Sequence, residues 1–519
     1  MTRSDRDALR TDWRRAGWYA DQTVAEAVAA GAAACPDDRL HFAQVDGGVT
    51  TATLGALFQR ARRRAGGFYG AGVTPGAAVV VQAPADASST EVLIACWMLG
   101  AVPVPVATTA GPEELAHVAR ETAAATAIVA PEWRGADLAA HARDAGIARV
   151  LVIDEPLPRR DPPEVRRPYP REVAVILYTS GSTAMPKGVM HTHETILFGV
   201  NAPADRKTRT LACFPAGHVA SLFGLLRPLL VGGTTVVMDR WSARAAAQLI
   251  EEHRLTTSAG TPFFLRTLLD EAARTGRDIS SLDRFLVGAA SVPPALVARA
   301  DAAGILTWRM YGSTEHPAIA SGGPADAPEK RRLTDGRVTP GNEVRLLDEE
   351  GLDVPQGAIG EIVARGPKQF VGYRDASLDD VSFAHGTWFR TGDLARFDED
   401  GYLVVTDRVK DIVIRGGENI SAREVEDALM DHPGIQEVAV CAAPDDVWGE
   451  IVCAFVVPEP GAQPSLDDLR EHARARGLAP HKEPARLVVV EAMPRTTAGK
   501  VRKRDLRSIA SGSPPAADL

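Results

Sequence analysis

The stretch AVILYTSGSTAMPKG, Ala174–Gly188, decides how the chain is read. Its apolar, β-branched start reads as a buried strand. The strand runs into five small residues, Thr179, Ser180, Gly181, Ser182 and Thr183, and Pro186 and Lys187 close the loop. Such a run bares backbone N–H groups and hydroxyls, a nest suited to phosphate oxygens, and Lys187 adds a positive charge for the β/γ end of a polyphosphate. It is not a Walker A loop, which needs Gly-Lys-[Ser/Thr]; here Pro186 precedes the lysine. Taken alone, the composition also suits a Ser/Thr-rich surface turn.

Outward from this loop, short apolar runs alternate with amphipathic ones. AAVVVQ from Ala77, AVPVPV from Ala101, TAIVA from Thr126 and RVLVI from Arg149 read as buried strands. Helical spacing covers Glu91–Leu99, Pro112–Thr122 and Ala136–Ala145 between them. Downstream, the loop is read as passing directly into a helix at HETILFGV, followed by TTVVM, a helix from Ser242, RFLVG and a helix from Pro293. This alternation predicts an α/β fold, layered and with mostly parallel sheets. The Pro-rich segment Asp154–Glu172 reads as an exposed linker. After Leu346, EIVARG, GYLVV and DIVIRGG suggest a β-rich subdomain, and beyond Lys410 the pattern is that of a compact α+β module.

Composition excludes several classes. With 519 residues, 45% apolar and 24% charged, the chain is an ordinary globular one with room for a large core. A net charge of −9 argues against a general nucleic-acid binder. Cys35, Cys96, Cys213, Cys441 and Cys453 are scattered with no CxxC pair, so neither a disulfide scaffold nor a zinc site is expected, and a reducing cytoplasm is the natural compartment. No signal core or membrane span is expected. Of 58 basic residues only eight are lysine, at 187, 207, 330, 368, 410, 482, 500 and 503. Where lysine persists in such a chain a reason is worth seeking, because the two cations are not equivalent.

Three further motifs carry chemistry. In MYGSTE, Met310–Glu315, Tyr311 offers an aromatic face for a base, Gly312 allows close backbone approach, Ser313 and Thr314 carry hydroxyls, and Glu315 supplies an oxygen ligand for Mg²⁺. In FRTGDL, Phe389–Leu394, Asp393 can accept two ribose hydroxyl hydrogens, and Arg408 can donate to ribose or phosphate. In PRTTAGK, Lys500 follows a glycine in a polar loop. Each alone has a bland reading: a solvated Glu315, a turn Asp393, a surface Lys500.

Together with the GEIVARG–GY stretch (Gly360 to Tyr373), DRVKDIVIRGGENI and PDDVWGE, these motifs stand in the order and spacing of one family. Over about residues 20–507 the chain resembles the adenylate-forming superfamily of acyl-CoA synthetases, peptide-synthetase adenylation domains and luciferases. The resemblance implies a large N-terminal domain, 1–409, with its β-rich part at about 340–409. A small mobile C-terminal domain, 410–507, would follow, with a disordered tail at 508–519. It implies activation of a small carboxylic acid by ATP and Mg²⁺ to acyl-AMP, then transfer to the thiol of CoA. By the same resemblance Thr179, Ser180, Gly181, Ser182, Thr183 and Lys187 would hold the phosphates, and Glu315 with Thr183 the metal. Tyr311 would pack on adenine against Gly288-Ala289-Ala290, with Gly312, Ser313 and Thr314 beside it. Asp393 and Arg408 would bind ribose, and Lys500 would bridge carboxylate and α-phosphate. His218 would stand between acyl and nucleotide sites, and Lys410 would be the hinge. Gly416, Gly417 and Trp448 would line the CoA tunnel.

The chain departs from the family at three places: Ala184 stands where the loop usually has glycine, Arg309 where an amide often faces adenine, and His481-Lys482-Glu483-Pro484 lacks the usual aromatic residue. The last weakens the CoA expectation. The alternative is an adenylase that stops at acyl-AMP or serves a separate carrier protein or partner enzyme, since no carrier domain follows Leu506. A pseudoenzyme is disfavoured because Lys187, Glu315 and Lys500 are all present. Between Phe214 and Gly224 no acid is available for an α-ammonium, which disfavours amino acids. The opening DWRRAGWYADQTV and GSTEHP resemble ligases for medium-chain, alicyclic or terpenoid acids. Small residues at Gly288–Ala290 and Ala318–Ala320 would leave room for a bulky apolar acyl group. Oligomeric state is not legible.

Overall fold

The structure, a computed structural model, describes residues 3–158, 160–161, 168–179, 185–200 and 208–512. The phosphate-loop residues Ser180, Gly181, Ser182, Thr183 and Ala184 lie outside them, as does Lys207.

Two parallel β-layers carry the large unit. A nine-stranded sheet runs in the order Arg337–Val338, Ala320–Ser321, Leu306–Tyr311, Arg284–Gly288, Thr257–Gly260, Arg209–Ala212, Thr234–Met238, Arg39–Ala43 and Val49–Thr53. Its interior pairs are parallel, and only the edges turn antiparallel. A second, four-stranded sheet is wholly parallel: Val102–Pro105, Ala78–Gln82, Thr126–Val129 and Arg149–Val152. Sequences such as AVVVQ are near-continuous apolar runs because helices cover both faces of such sheets. Several helices start on side-chain caps, with reciprocal capping boxes at Thr23/Glu26, Asp86/Ser89 and Ser465/Asp468.

The loop that opened the sequence reading is built differently from the expectation. Val173–Thr179 does not pass through it into a helix. It pairs antiparallel with a strand at Lys187–Thr192, Thr179 opposite Lys187 and Tyr178 opposite Gly188, and only then does the helix His193–Val200 begin. KGVMHT lacks an apolar period, so its strand character comes from pairing on both sides, with Val173–Thr179 and with Gly372–Tyr373. The hairpin holds the two ends of the loop in fixed register.

A five-stranded antiparallel sheet (Glu343–Leu347, Gly360–Arg365, Phe383–Ala384, Trp388–Phe397, Leu403–Arg408) forms the β-rich part. From Val413 to Ala510 the chain builds two apolar cores of its own on the two sides of a five-stranded sheet. The end of this unit corrects the expectation of a disordered tail from 508. The helix Lys503–Ala510 includes Ser508 and Ile509, Ala510 is buried, and the Ala510 carbonyl accepts from Arg486 at 2.8 Å. Among the described residues no helix is long and apolar enough to cross a membrane.

Candidate active site

The parallel pairing of Arg284–Gly288 with Leu306–Tyr311 sets Gly288 beside Met310, so that Ala289 and Tyr311 each follow directly on the last paired residue of neighbouring strands. The approach is close: a Cβ on Gly288 would meet the Met310 carbonyl oxygen at 2.4 Å, so this position needs glycine. Ala289 takes φ 65°, the left-handed region, as the chain leaves the strand. Gly312 is equally crowded, its missing Cβ lying 2.5 Å from the Ala318 nitrogen. Ser313 spends its hydroxyl accepting from the His316 N–H at 3.2 Å, and the Thr314 carbonyl is held by His191 at 2.7 Å. The turn that presents Glu315 is thereby rigid.

Asp393 and Arg408 face each other across paired antiparallel strands. Arg408 Nε donates to Asp393 Oδ1 at 2.8 Å, and the Tyr311 hydroxyl donates to Oδ2 at 2.8 Å. The Tyr311 hydroxyl, the Asp393 carboxylate and the Arg408 guanidinium therefore form one connected group. Burial, then the Asp393 charge, pushes the Tyr311 hydroxyl well above its usual range, so it stays a donor.

Glu315 accepts from the Tyr373 hydroxyl at 2.8 Å through Oε1, while no hydrogen bond reaches Oε2 among the described residues. A hard carboxylate oxygen left open in this way fits Mg²⁺, which is commonly held by one or two carboxylates plus substrate phosphates. Lys187, at the exit of the loop, lies 5.4 Å from the centroid of the Tyr373 ring. The Tyr373 ring thus stands beside both the metal candidate and the phosphate candidate.

Lys500 comes to this group from the C-terminal unit. Its loop is closed by the Arg495–Val501 bridge and by bonds from the Gly499 N–H to the Thr496 carbonyl and from the Thr496 N–H to the Lys500 carbonyl, both 2.8 Å. Gly499 takes φ 80°, and a Cβ there would meet Phe263 at 2.8 Å. Ala498 is buried in the apolar core of the large unit that also holds Phe264. Arg495 lies over the Phe263 ring at 4.6 Å, and Glu437 is shared between Arg495 and Arg266 of the large unit. So seated, the Lys500 ammonium senses Arg408, Asp393 and Glu315. Burial foremost, then Arg408, lowers its pKa, and the two carboxylates only partly oppose this. His218 faces the same charge. It caps the helix Val219–Val231 by accepting the Ala220 N–H on Nδ1 at 3.1 Å, and it stacks on Phe214 at 4.7 Å. Burial, with Lys500 beside it, drops its pKa to about 3, so the ring is neutral.

Other expected residues fall elsewhere. Lys410 is exposed in the turn Val409–Asp411. Gly416, Gly417 and Trp448 form a separate exposed group, the Gly416 N–H donating to the Trp448 carbonyl at 2.9 Å. Arg415, which the sequence did not single out, ties this group together. It lies 5.3 Å from the Trp448 ring centroid and donates to the His481 carbonyl at 2.6 Å, so the divergent HKEP segment sits on the same face. The acid in that segment is neutralised, Glu483 making a two-point pair with Arg474 at 2.6 and 2.8 Å. Arg309 does not lie open to the base slot; it is buried and its guanidinium is spent on the Arg332 carbonyl. Ile319 and Ala320 are likewise no pocket wall. Both are fully buried, Ala320 packing with Leu346, Ile362 and Leu403, so of the three residues Ala318–Ala320 only the half-buried Ala318 can border open space.

Residues 28–374 match the family of AMP-binding enzymes, and residues 424–500 match the C-terminal domain of the same enzymes. The chain belongs to this family. It is 32% identical to the medium-chain fatty-acid–CoA ligase of Escherichia coli K12, covering 98% of this chain and 94% of that one. It is 34% identical to a feruloyl-CoA synthase from Amycolatopsis, covering 90% and 96%. The O-succinylbenzoate CoA synthetase of Bacillus subtilis, solved with ATP and magnesium ion, superposes with a TM-score of 0.81 at 25% identity, covering 94% and 99%. The chain is accordingly an AMP-forming acid–thiol ligase, an enzyme class that works with ATP, Mg²⁺ and CoA.

Proposed function

We propose that this enzyme activates a bulky apolar carboxylic acid, medium-chain, alicyclic or terpenoid, to its acyl-AMP and passes the acyl group to the thiol of CoA. The observation that carries the first step is the seat of Lys500: a desolvated ammonium facing Glu315, Asp393, Arg408 and the neutral His218. An acid carboxylate oxygen attacks the α-phosphorus, the bond to the β-phosphate oxygen breaks, and pyrophosphate leaves. Negative charge concentrates on the α-phosphate oxygens, so catalysis is largely positioning and charge stabilisation. Lys500 would bridge the incoming carboxylate and the α-phosphate. Lys187, with Thr179 and Ser180–Thr183, would hold the leaving phosphates. Tyr311 and Gly288-Ala289-Ala290 would hold adenine, and Asp393 with Arg408 the ribose. Glu315 and Thr183 would hold Mg²⁺, whose charge neutralises the phosphates when bound.

The second step requires the units to divide at about 409/410, with Lys410 as the hinge. Rotation would withdraw Lys500 and bring Gly416, Gly417 and Trp448 to the cleft. The thiol then attacks the acyl carbonyl and AMP leaves with the shared oxygen. Arg415, already stacked on Trp448, would travel with them. The apolar substrate class is supported by the acid-free stretch Phe214–Gly224 and by a His218 that carries no charge. Pyrophosphate release across aliphatic, alicyclic, aromatic and amino acids, each with and without CoA, tests both steps. Release with amino acids alone would overturn the substrate class. Release indifferent to CoA, with acyl-AMP accumulating, would favour transfer to a carrier protein or another partner.

A further inference from the structure

The N-terminal helix, Arg3–Arg15, lies before the residues that match the family, yet its arginines bond to Glu194, Phe370 and Asp379, far along the chain. Arg6, Arg10 and Arg14 are spaced four residues apart and so share one face. Arg6 makes a buried ion pair with Asp379 at 2.5 Å, both side chains under a tenth exposed. Arg10 is buried and donates to the Phe370 carbonyl at 2.9 Å; the Phe370 N–H in turn donates to the Glu315 carbonyl at 2.8 Å. Arg14 grips Glu194 at two points, 2.6 and 2.7 Å, on the helix that follows the loop hairpin. Burying guanidinium groups is costly unless each is paired. A face that buries Arg6 and Arg10 and spends a third arginine on a buried glutamate is more than a solvated helix side.

The Arg6 contact leads furthest. Asp379 is a two-handed acceptor: its Oδ2 takes Arg6, and its Oδ1 takes the Tyr373 N–H at 2.9 Å. Gly372, with φ 139°, leaves the space that lets this carboxylate approach, since a Cβ there would meet Asp379 Oδ2 at 2.6 Å. The backbone of Tyr373 is thus pinned from the far side, and its hydroxyl ends on Glu315 Oε1 at 2.8 Å. With Oε1 held, the freedom of the carboxylate is reduced and Oε2 is left without a hydrogen bond among the described residues, while Lys187 lies over the same Tyr373 ring. Arg10 fixes the backbone of the same turn through Phe370.

We propose that Tyr373 is a positioning residue for the Mg²⁺ ligand Glu315, and that the N-terminal helix is a strap holding it in place through the Arg6–Asp379 pair. This rests on the reading of Glu315 as the metal ligand. The reaction itself does not touch Arg6 or Asp379; they act by restricting where one carboxylate oxygen points before the nucleotide arrives.

The test is a binding linkage measured on the full chain, with the acid substrate withheld. ATP affinity is titrated calorimetrically with and without Mg²⁺, and the ratio of the two is the readout. Tyr373→Phe removes one hydroxyl and keeps the ring over Lys187. It should cut the Mg²⁺-dependent gain in ATP affinity roughly three- to tenfold, the net worth of an ordinary hydrogen bond, and leave metal-free ATP affinity unchanged. Arg6→Met should move the ratio the same way, Arg6→Lys should restore part of it, and Arg6→Met with Tyr373→Phe should be no worse than Tyr373→Phe alone, as for one connected path. Glu315→Gln is the control. If it collapses the ratio while Tyr373→Phe does not, the positioning role is wrong and the ligand reading stands. If Glu315→Gln leaves the ratio unchanged, the ligand reading is wrong. If Arg6→Met lowers only the melting temperature, or fails to fold while Asp379→Asn, which removes the ion pair but keeps an acceptor for the Tyr373 N–H, retains the wild-type metal response, the strap is a stability device and the proposal is overturned.

Discussion

Arg266→Met should slow acyl-AMP formation and spare acyl transfer. Arg266 belongs to the large unit and reaches the C-terminal unit at two points, the Glu437 carboxylate and the Gln436 carbonyl, the latter at 3.2 Å. Glu437 keeps Arg495 as a partner after the change, so no buried carboxylate is orphaned, and methionine preserves much of the aliphatic stem. The side chains are a quarter and a sixth exposed, so the pair lies between a buried charged bond, about 1.5–3 kcal/mol, and a surface pair, about 0–1 kcal/mol. A loss of about 1–1.5 kcal/mol shifts the ratio of docked to undocked Lys500 loop roughly five- to tenfold. The adenylation rate then falls between about two- and tenfold, the smaller figure applying where the docked state is strongly favoured at the outset. ATP–pyrophosphate exchange reads that step, and CoA consumption from preformed acyl-AMP reads the other. Exchange should slow while transfer holds or quickens. Salt should slow exchange more in the wild type than in the variant, because a partly exposed pair is screened. Equal slowing of both steps, or unchanged exchange, would refute the idea that this contact holds the adenylating arrangement.

Gly499→Ala should be more severe at the same step: the left-handed φ of 80° costs about 1–2 kcal/mol for alanine, and the new methyl collides with Phe263, so exchange should drop at least tenfold with transfer from preformed acyl-AMP retained. The lowered pKa of Lys500 places the alkaline limb of adenylation below the ordinary lysine value of 10.5, and a pH–rate profile of exchange in Lys500→Arg should lack that limb whatever activity remains. His191 and His193 are depressed to about 4, and His218 and His316 to about 3, all by burial first. Their folded pKa values lie below the unfolded value near 6.5. Their contribution is therefore intact above 6.5 and lost as pH falls toward 4, at about 1.4 kcal/mol per pH unit for each histidine. Denaturant midpoints measured between pH 7 and 5 should fall, and His316→Gln should make the decline shallower by about one proton's worth; an unaltered slope would contradict the neutral burial of that ring.

The parts of the fold legible in sequence were those whose local pattern and tertiary setting agree. Ala78–Gln82 and Thr126–Val129 are apolar throughout because helices cover them on both sides, and Pro112–Thr122 and His193–Val200 carry their period and boundaries openly. Lys187–Thr192 has no strand signature of its own because its strand state is imposed by two neighbours rather than by its own residues. Ala318–Ala320 looked like the lining of a spacious pocket, but small residues serve equally where one sheet packs closely on another. Position 309 followed the family's spacing, but the guanidinium is longer than an amide and finds a carbonyl deeper in the protein. Tyr373 and Arg415 went unassigned because their importance lies in partners 58 and 66 positions away, Glu315 and His481, and no short motif records such a separation.

The scarcity of lysine gains its meaning only from the partners of each one. Lys330 pairs with Asp398 and Asp400, Lys482 with Glu424, and Lys503 with Glu426 at 2.8 Å. These are contacts an arginine could make in other geometry, so a surviving lysine does not by itself mark chemistry. Lys187 and Lys500 differ: among the described residues no carboxylate lies within ion-pair distance of either ammonium, a property shared by Lys368, whose ammonium donates to the Thr339 hydroxyl at 3.4 Å and lies 5.9 Å from the Phe198 ring centroid. A buried cation left without a protein anion is unfavourable, and the lowered pKa of Lys500 expresses that cost. Phosphate and carboxylate groups of the substrates would supply the missing charge at both places, so binding relieves an imbalance that the folded chain maintains. A guanidinium at 500 would be longer, planar and unable to shed its proton, and with Ala498 buried in the core of the large unit and Gly499 close against Phe263 the loop has little freedom to retreat. Lys500→Arg should therefore fail to restore adenylation even though it preserves the charge, whereas the same exchange at Lys330 should cost little.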